Sequence, residues 1–356
     1  MRRSRLFSVA LVGLVALALA PLSGCKKFIS SLRPHAARDA GAPSLPYTVA
    51  TAASPTPGLS ASAEAAAADK KAMTLNESGC TSGNAGKCND LGINYELGHG
   101  TPIDYVEAAK YYKEACDLKS AEGCGNLGAL YDDGKGMTED KVKASSFYQT
   151  ACDLGSSRGC NHLGLHYLYA QGGRKQDNAK AVALFSKGCD KKDVYSCTNL
   201  GYMYWKGLGV RKDFVKCVAL YEIGCSGSGS SYDPSGCYNL GIQQEVGEGT
   251  PLDAFTASLS YSKACSGGSM SGCVALGRLY EKGKGVAVNP TKASTLYEQG
   301  CTGGKPTGCY NLARLYEDGV GVGRDLAKAK TYYKQACDGG DSDSCTAYGN
   351  LARRGY

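Results

Sequence analysis

From residue 63 onward, apolar and small residues recur three and four apart, and the whole pattern restarts about every 36 residues. In each period a Leu (91, 127, 163, 200, 240, 276, 312) is followed by Gly, or by Ala313 in the last full copy. Four residues after the Leu comes Tyr (95, 131, 167, 204, 280, 316), with Gln244 in the fifth copy. These positions share one face of a helix, and the Gly lets a neighbouring helix approach closely. Paired glycines such as Gly98/Gly100, Gly134/Gly136, Gly207/Gly209 and Gly283/Gly285 end it. A second helix opens at Asp104, Asp140, Asp177, Asp213, Asp253 and Asp325, whose side chains can cap it. It carries a small residue and, four later, an aromatic: Ala108 and Tyr112, Ala144 and Tyr148, Ala181 and Phe185. The pattern predicts seven helical hairpins with a half-repeat helix at each end, an all-α solenoid.

The N-terminus has another character. Arg2, Arg3 and Arg5 precede an apolar run, Leu6 to Pro21, and then Leu22-Ser23-Gly24-Cys25. A basic start, a short apolar stretch and small residues predict a cleaved export signal over 1–24. Leu-Ser-Gly-Cys resembles the bacterial lipobox, which implies that Cys25 is acylated and becomes the mature N-terminus. Lys26 follows it, where an Asp would hold such proteins in the inner membrane. The resemblance therefore implies a periplasmic lipoprotein of the bacterial envelope, at the outer membrane. Residues 25–62 are rich in Ala, Ser and Pro and predict a tether that buries too little to order itself. Loss of 1–24 removes three Arg and takes the formal charge from +7 to +4. What remains is interleaved in sign, without the basic stripe that nucleic acid requires.

The 18 cysteines set the register of the repeat. Sixteen fall into pairs: Cys80/Cys88, Cys116/Cys124, Cys152/Cys160, Cys189/Cys197, Cys225/Cys237, Cys265/Cys273, Cys301/Cys309 and Cys337/Cys345. All are eight apart except Cys225/Cys237, where four extra residues within 226–236 lengthen a Gly/Ser loop. Zinc needs four ligands converging at short spacings, and here no His or Cys accompanies each pair. Spaced cysteines in an exported chain point to disulfides. Bridges within a hairpin, Cys88 to Cys116 and onward, would strand Cys80 and Cys345. Bridges across each short loop strand none of the sixteen, and are favoured. Cys217 is the leftover; it stands in the Ala column and is expected to be a buried small hydrophobe.

The run Cys124-Gly125-Asn126-Leu127-Gly128 to Tyr131, then Gly134-Lys135-Gly136, then Asp140, Lys143-Ala144, Tyr148 and Ala151-Cys152 resembles the Sel-one-like repeat, a relative of the tetratricopeptide repeat. The likeness spans about residues 63–356 and implies a right-handed superhelix of hairpins, stapled here by disulfides. The cysteine pair with seven intervening residues further resembles the cysteine-rich Hcp family of exported bacterial proteins. That second likeness implies, as an alternative function, weak β-lactam hydrolysis or penicillin binding.

Candidate chemistry is sparse. His162 and His166 lie four apart on one helix face and could share an ion, but no third ligand accompanies them, and neither a metal nor a cofactor is expected. The residue before the repeat Leu is Asn126, Asn199, Asn239 or Asn311, with Asp90 and His162 in the same column. Such a ladder can hydrogen-bond an extended peptide, or each Asn can hold the adjacent cysteine loop. Tyr202, Met203 and Trp205 join the ladder as expected lining of a groove. Ser260 and Lys263 match S-x-x-K, but S-D-N is absent and Pro306 interrupts K-T-G at Lys305-Pro306-Thr307-Gly308. No catalytic residue is assigned. The sequence points to a non-enzymatic scaffold that binds a protein or peptide partner in the envelope, meeting the membrane only through its lipid.

Overall fold

Each turn of the chain is terminated locally before any tertiary contact is needed. The side chains of Asp104, Asp140, Asp177, Asp213, Asp253 and Asp325 accept backbone N–H bonds at the start of the second helices. Asn289 does the same in the sixth hairpin. The first helices end on left-handed glycines, Gly98, Gly134, Gly207, Gly247, Gly283 and Gly319. The third hairpin departs from this. Its first helix is capped by Tyr169 instead of a glycine, and Ala170 takes the positive φ of 54°.

The computed structural model describes residues 59–227 and 231–356. The expected signal segment, Cys25 and the tether up to residue 58 lie outside the described residues. A leading helix, α1 (Leu59–Thr81), begins four residues inside the stretch expected to be tether. Its Ala-rich run 61–68 has high helix propensity, which carries the helix into that stretch. Seven hairpins follow. They are α2 (Ala85–Leu97) with α3 (Tyr105–Asp117), α4 (Ala121–Asp133) with α5 (Lys141–Asp153), and α6 (Ser157–Leu168) with α7 (Asn178–Cys189). Next come α8 (Val194–Lys206) with α9 (Phe214–Cys225), and α10 (Pro234–Val246) with α11 (Ala254–Ser266). The last two are α12 (Met270–Lys282) with α13 (Pro290–Thr302), and α14 (Pro306–Asp318) with α15 (Leu326–Asp338). A closing helix, α16 (Ser342–Arg353), covers the final hairpin. The described residues contain no strand, and the architecture is the disulfide-stapled α-solenoid that the periodicity predicts.

The core is one column of aromatics standing on one column of glycines. Tyr112, Tyr148, Phe185, Tyr221, Tyr261 and Tyr297 are all but fully buried. A β-carbon at Gly241 would stand 2.6 Å from the Tyr261 ring, and one at Gly164 would meet Phe185 equally closely. The glycines are therefore seats for the rings of the second helices. Through most of the stack, first helices touch the first helices of neighbouring hairpins, whereas second helices scarcely meet one another. The first helices thus line the inside of the stack.

The disulfides form across the short loops, and each ties the end of one hairpin to the start of the next. The bridges are Cys80–Cys88, Cys116–Cys124, Cys152–Cys160 and Cys189–Cys197, then Cys225–Cys237, Cys265–Cys273, Cys301–Cys309 and Cys337–Cys345. Their Cα–Cα separations are 4.5 to 4.6 Å. The four extra residues between Cys225 and Cys237 leave that separation unchanged at 4.5 Å.

Packing closes off most of these sulfurs. The Cys160 sulfur lies 3.7 Å from the Cys152 carbonyl oxygen, Cys197 3.6 Å from that of Cys189, and Cys237 3.8 Å from that of Cys225. Farther along, Cys301 and Cys309 share the Gln335 side-chain oxygen, at 3.3 and 3.9 Å. A bridged sulfur has no hydrogen to donate, so these are packing contacts and not hydrogen bonds. Cys160, Cys197, Cys237, Cys301 and Cys309 are all buried. They are staples, and not positions that could hold a ligand or attack a substrate. Cys217 is free and buried; burial pushes its thiol up to about 12, which makes it a packing residue rather than a nucleophile.

Candidate functional site

The inner face can be built position by position. The residue after the repeat Tyr is an acid in most hairpins, and it accepts a hydrogen bond from the aromatic of its own second helix. The Tyr112 hydroxyl donates to Glu96 at 2.6 Å, Tyr261 to Glu245 at 3.0 Å, Tyr297 to Glu281 at 2.6 Å and Tyr333 to Glu317 at 2.8 Å. Tyr148 to Asp132 is longer, at 3.4 Å. Burial, reinforced by these carboxylates, pushes the phenols well up from their ordinary range.

Two adjacent hairpins break this rule. In the third, Leu168 replaces the acid and Phe185 replaces the Tyr, so acceptor and donor vanish together. In the fourth, Trp205 replaces the acid, and burial together with the nearby Cys217 thiol pushes the Tyr221 phenol up. A test follows from the third hairpin. Phe185→Tyr should cost about 1–3 kcal/mol, the penalty for a buried hydroxyl without a partner. Adding Leu168→Glu should recover much of it in thermal unfolding; a single mutant as stable as the parent would refute the pairing.

The acid position of one hairpin also faces the next hairpin. Arg278 donates to Glu245 at 2.6 Å, and Arg314 pairs with Glu281. In the middle of the stack the equivalent neighbours are apolar. Leu168 and Tyr202 share one apolar cluster, and Trp205 packs with Ile242 in another. Trp205 lies 6.0 Å from Tyr202, ring to ring, with the Lys206 ammonium 4.1 Å from the indole. Tyr169 stands beside them, 47% exposed; burial and then the neighbouring Tyr202 push its phenol up to about 12. The inner face is therefore aromatic at its centre and ion-paired in its C-terminal part.

The expected asparagine ladder exists but does different work. Asn126 donates to Asn89 at 2.8 Å and accepts from Arg158, and Asn199 donates to Asn161 at 2.8 Å. These bonds cross between first helices of successive hairpins, rather than holding the cysteine loops. Asn199 is 0% exposed and Asn239 4%, which leaves neither a surface to offer a ligand; they are corrected from groove lining to interior. Asn126 and Asn311 stay half-buried. Met203 is also corrected to core, packed in the cluster of Leu165, Phe185 and Leu200. Helix position decides this, since Met203 stands three residues after the buried Leu200 and shares its face, whereas Tyr202 and Trp205 stay half-buried.

His162 is buried and stacked on Tyr148 at 4.7 Å. Burial, with Arg158 nearby, brings its imidazole down to about 3, so it is a neutral core ring and not a groove residue. His166 reaches Asp132 at 3.4 Å and meets Tyr148 edge-on. Burial raises the Asp132 carboxyl, but His166 and Lys141 together outweigh it and leave Asp132 below its ordinary value. Among the described residues one set of three metal-type ligands converges, Cys80, Cys88 and Glu114, and both of its sulfurs are committed to a disulfide.

Ser260 and Lys263 do not act together. The Ser260 hydroxyl is buried and donates to Gln244 at 2.8 Å, whereas Lys263 donates to the carbonyls of Cys225 and Gly227 at 2.7 Å. Gln244 and Ser260 replace an aromatic stack found elsewhere as Tyr95 on Tyr111 and Tyr316 on Tyr332. Lys263 closes the longer cysteine loop.

The Sel1 repeat matches residues 88–120, 121–156, 157–193, 194–228, 271–305 and 306–341. The chain belongs to the Sel1 repeat family. The unmatched stretch 229–270 is the fifth hairpin, which has the longer loop and the Gln244–Ser260 exchange. A solved protective antigen of uropathogenic Escherichia coli, c5321, described as displaying an SLR fold, is 26% identical with a TM-score of 0.62. The match covers 83% of this chain and 66% of that one; the chain thus spans just under two thirds of that protein. A Sel1 repeat protein from Oxalobacter formigenes is 22% identical with a TM-score of 0.59, covering 78% of this chain and 79% of that chain, and shares the fold. No curated protein matches. A stack of Sel1 repeats is a scaffold for protein–protein interaction.

Proposed function

We propose that this Sel1 repeat protein is a non-enzymatic scaffold of the bacterial cell envelope that binds an extended peptide or protein segment along its first helices. The observation that carries the reading is the aromatic centre of Tyr169, Tyr202 and Trp205, formed where two neighbouring hairpins both drop the acid. Partly exposed aromatics of this kind match the makeup of binding hot spots. Eight disulfides suit an oxidising compartment, and the Leu-Ser-Gly-Cys25 segment would hold the scaffold at the outer membrane by a lipid.

A photo-crosslinking residue at position 202 should yield a discrete protein adduct in intact cells. The same residue at Lys334, on the far side of the last hairpin, should not. Trp205→Ala should weaken recovery of that adduct at least tenfold, as loss of a Trp anchor does. Equal adducts from 202 and 334, or full recovery with the folded Trp205→Ala protein, would sink the groove. The Hcp likeness offers β-lactam hydrolysis as the rival reading. Nitrocefin turnover above a heat-denatured control would favour it, and would then have to arise elsewhere than at Ser260.

A further inference from the structure

The glycine turns build a continuous edge along one end of the hairpins. The second glycine of each turn lies against the first residues of the preceding hairpin's second helix: Gly136 on Tyr105, Gly172 on Lys141, Gly209 on Asn178, Gly249 on Phe214, Gly285 on Ala254 and Gly321 on Pro290. Because every turn rests on its neighbour, whatever the turns and first helical turns expose forms one surface.

That surface exposes large apolar side chains at recurring positions. Val106, Val142, Val215 and Phe255 all occupy the second residue of a second helix and are 61%, 62%, 68% and 58% exposed. The fifth hairpin concentrates them: Phe255 and Leu259 stand on one face of α11 and Leu252 lies in the turn just before its cap, each more than half exposed, and Val288 follows in the next turn. Cations flank this centre. Arg211 and Lys212 precede it, and Lys284, Lys292, Arg324 and Lys328 follow it, all exposed. Several acids on the edge, such as Asp213 and Asp325, are committed to helix capping while they pair with Lys216 and Lys328. In the fifth hairpin Asp253 is likewise committed to capping α11 and to the Thr256 hydroxyl, and Glu248 stands in the same turn.

We propose that the turn edge is a peripheral docking surface for an anionic lipid bilayer, with Leu252, Phe255 and Leu259 entering the interface and the flanking Lys and Arg lying among the headgroups. A bilayer accepts both components at once, apolar side chains at the acyl boundary and cations at the phosphates. A nucleic acid would satisfy the cations and leave the apolar row in water. Among the described residues no helix is long and apolar enough to cross a membrane, so the contact is lateral. It is independent of the acyl group expected on Cys25, and it lays the stack lengthwise on the surface.

Trp205 is the single Trp of the chain, which makes a position-specific test direct. In the full chain, Trp205→Phe with Phe255→Trp moves the indole to the edge. Vesicles of equal phosphatidylglycerol and phosphatidylcholine carrying brominated acyl chains should quench this indole strongly and native Trp205 weakly, however else the chain is held. Reversing Arg211, Lys212 and Lys284 to Glu should lower the partition at least tenfold, since each cation near an anionic surface is worth about fivefold. If circular dichroism shows that the Phe255→Trp protein misfolds, Val215→Trp serves in its place. Floating protein with an unquenched edge indole would overturn the proposal, as would equal quenching on phosphatidylcholine alone. Displacement by duplex DNA that binds with the same charge-reversal loss would assign the edge to nucleic acid and also overturn it.

Discussion

Reduction of the full chain with a phosphine reductant should abolish its cooperative thermal transition, with most of the helical signal at 222 nm lost at 37 °C. Seven of the bridges join cysteines eight apart and Cys225–Cys237 joins cysteines twelve apart, each worth about 2.5–3 kcal/mol of loop-closure entropy. Eight such bridges together exceed the total stability of most domains, so they do not add independently. They lie at the junctions between hairpins, where a solenoid relies on nearest-neighbour interfaces. Reduction therefore weakens every interface at once rather than one element. Replacing Cys265 and Cys273 together by Ser should give a graded effect, lowering stability by about 2.5 kcal/mol and increasing hydrogen exchange around α11 and α12. A reduced protein that melts at its oxidised midpoint would show that the Tyr-on-Gly column alone sustains the fold.

Gly285→Ala should be the most damaging single-methyl substitution in the turns, costing about 3 kcal/mol or more. Gly285 has φ +68°, and a β-carbon there would overlap the carbonyl group of Ala254 in the neighbouring hairpin. The left-handed conformation alone costs a non-glycine residue about 1–2 kcal/mol, and overpacking against backbone adds about 1–3 kcal/mol. Gly268→Ala is the internal comparison. Gly268 also has positive φ, +92°, but its β-carbon would meet nothing within 4 Å. It should show the conformational cost without the steric one, and chemical denaturation should rank the two clearly. Equal losses would mean that the fifth and sixth hairpins can separate slightly at no cost.

Much of the fold is legible in the sequence because it is set by short-range rules. The Asp caps, the paired glycines and the Ala–aromatic spacing act within a few residues of one another, and their register repeats. The bridges are legible for the same reason, since eight residues across a tight loop leave the two sulfurs little choice of partner. The Tyr–acid pairs escaped a reading made along the chain, although a signal was present. Setting the column after the repeat Tyr beside the aromatic of the second helix shows that Leu168 accompanies Phe185 and that Trp205 accompanies Cys217.

The groove shows where such reading stops. Asn199, Asn239, His162 and Met203 occupy helix positions as polar or as variable as those of exposed residues, and all four are buried. A helix wheel assigns them to a face but does not say how closely the next hairpin packs on that face. The inter-helix bond from Asn199 to Asn161 depends on the offset between hairpins. The sequence by itself determined the repeat, the caps and the pairing of sixteen cysteines, because these follow from contacts between residues near in the chain. Only the tertiary structure decided which inner-face side chains remain open, and that the glycine turns join into one apolar and cationic edge. Both depend on how successive hairpins are set against one another, a geometry that no single repeat contains.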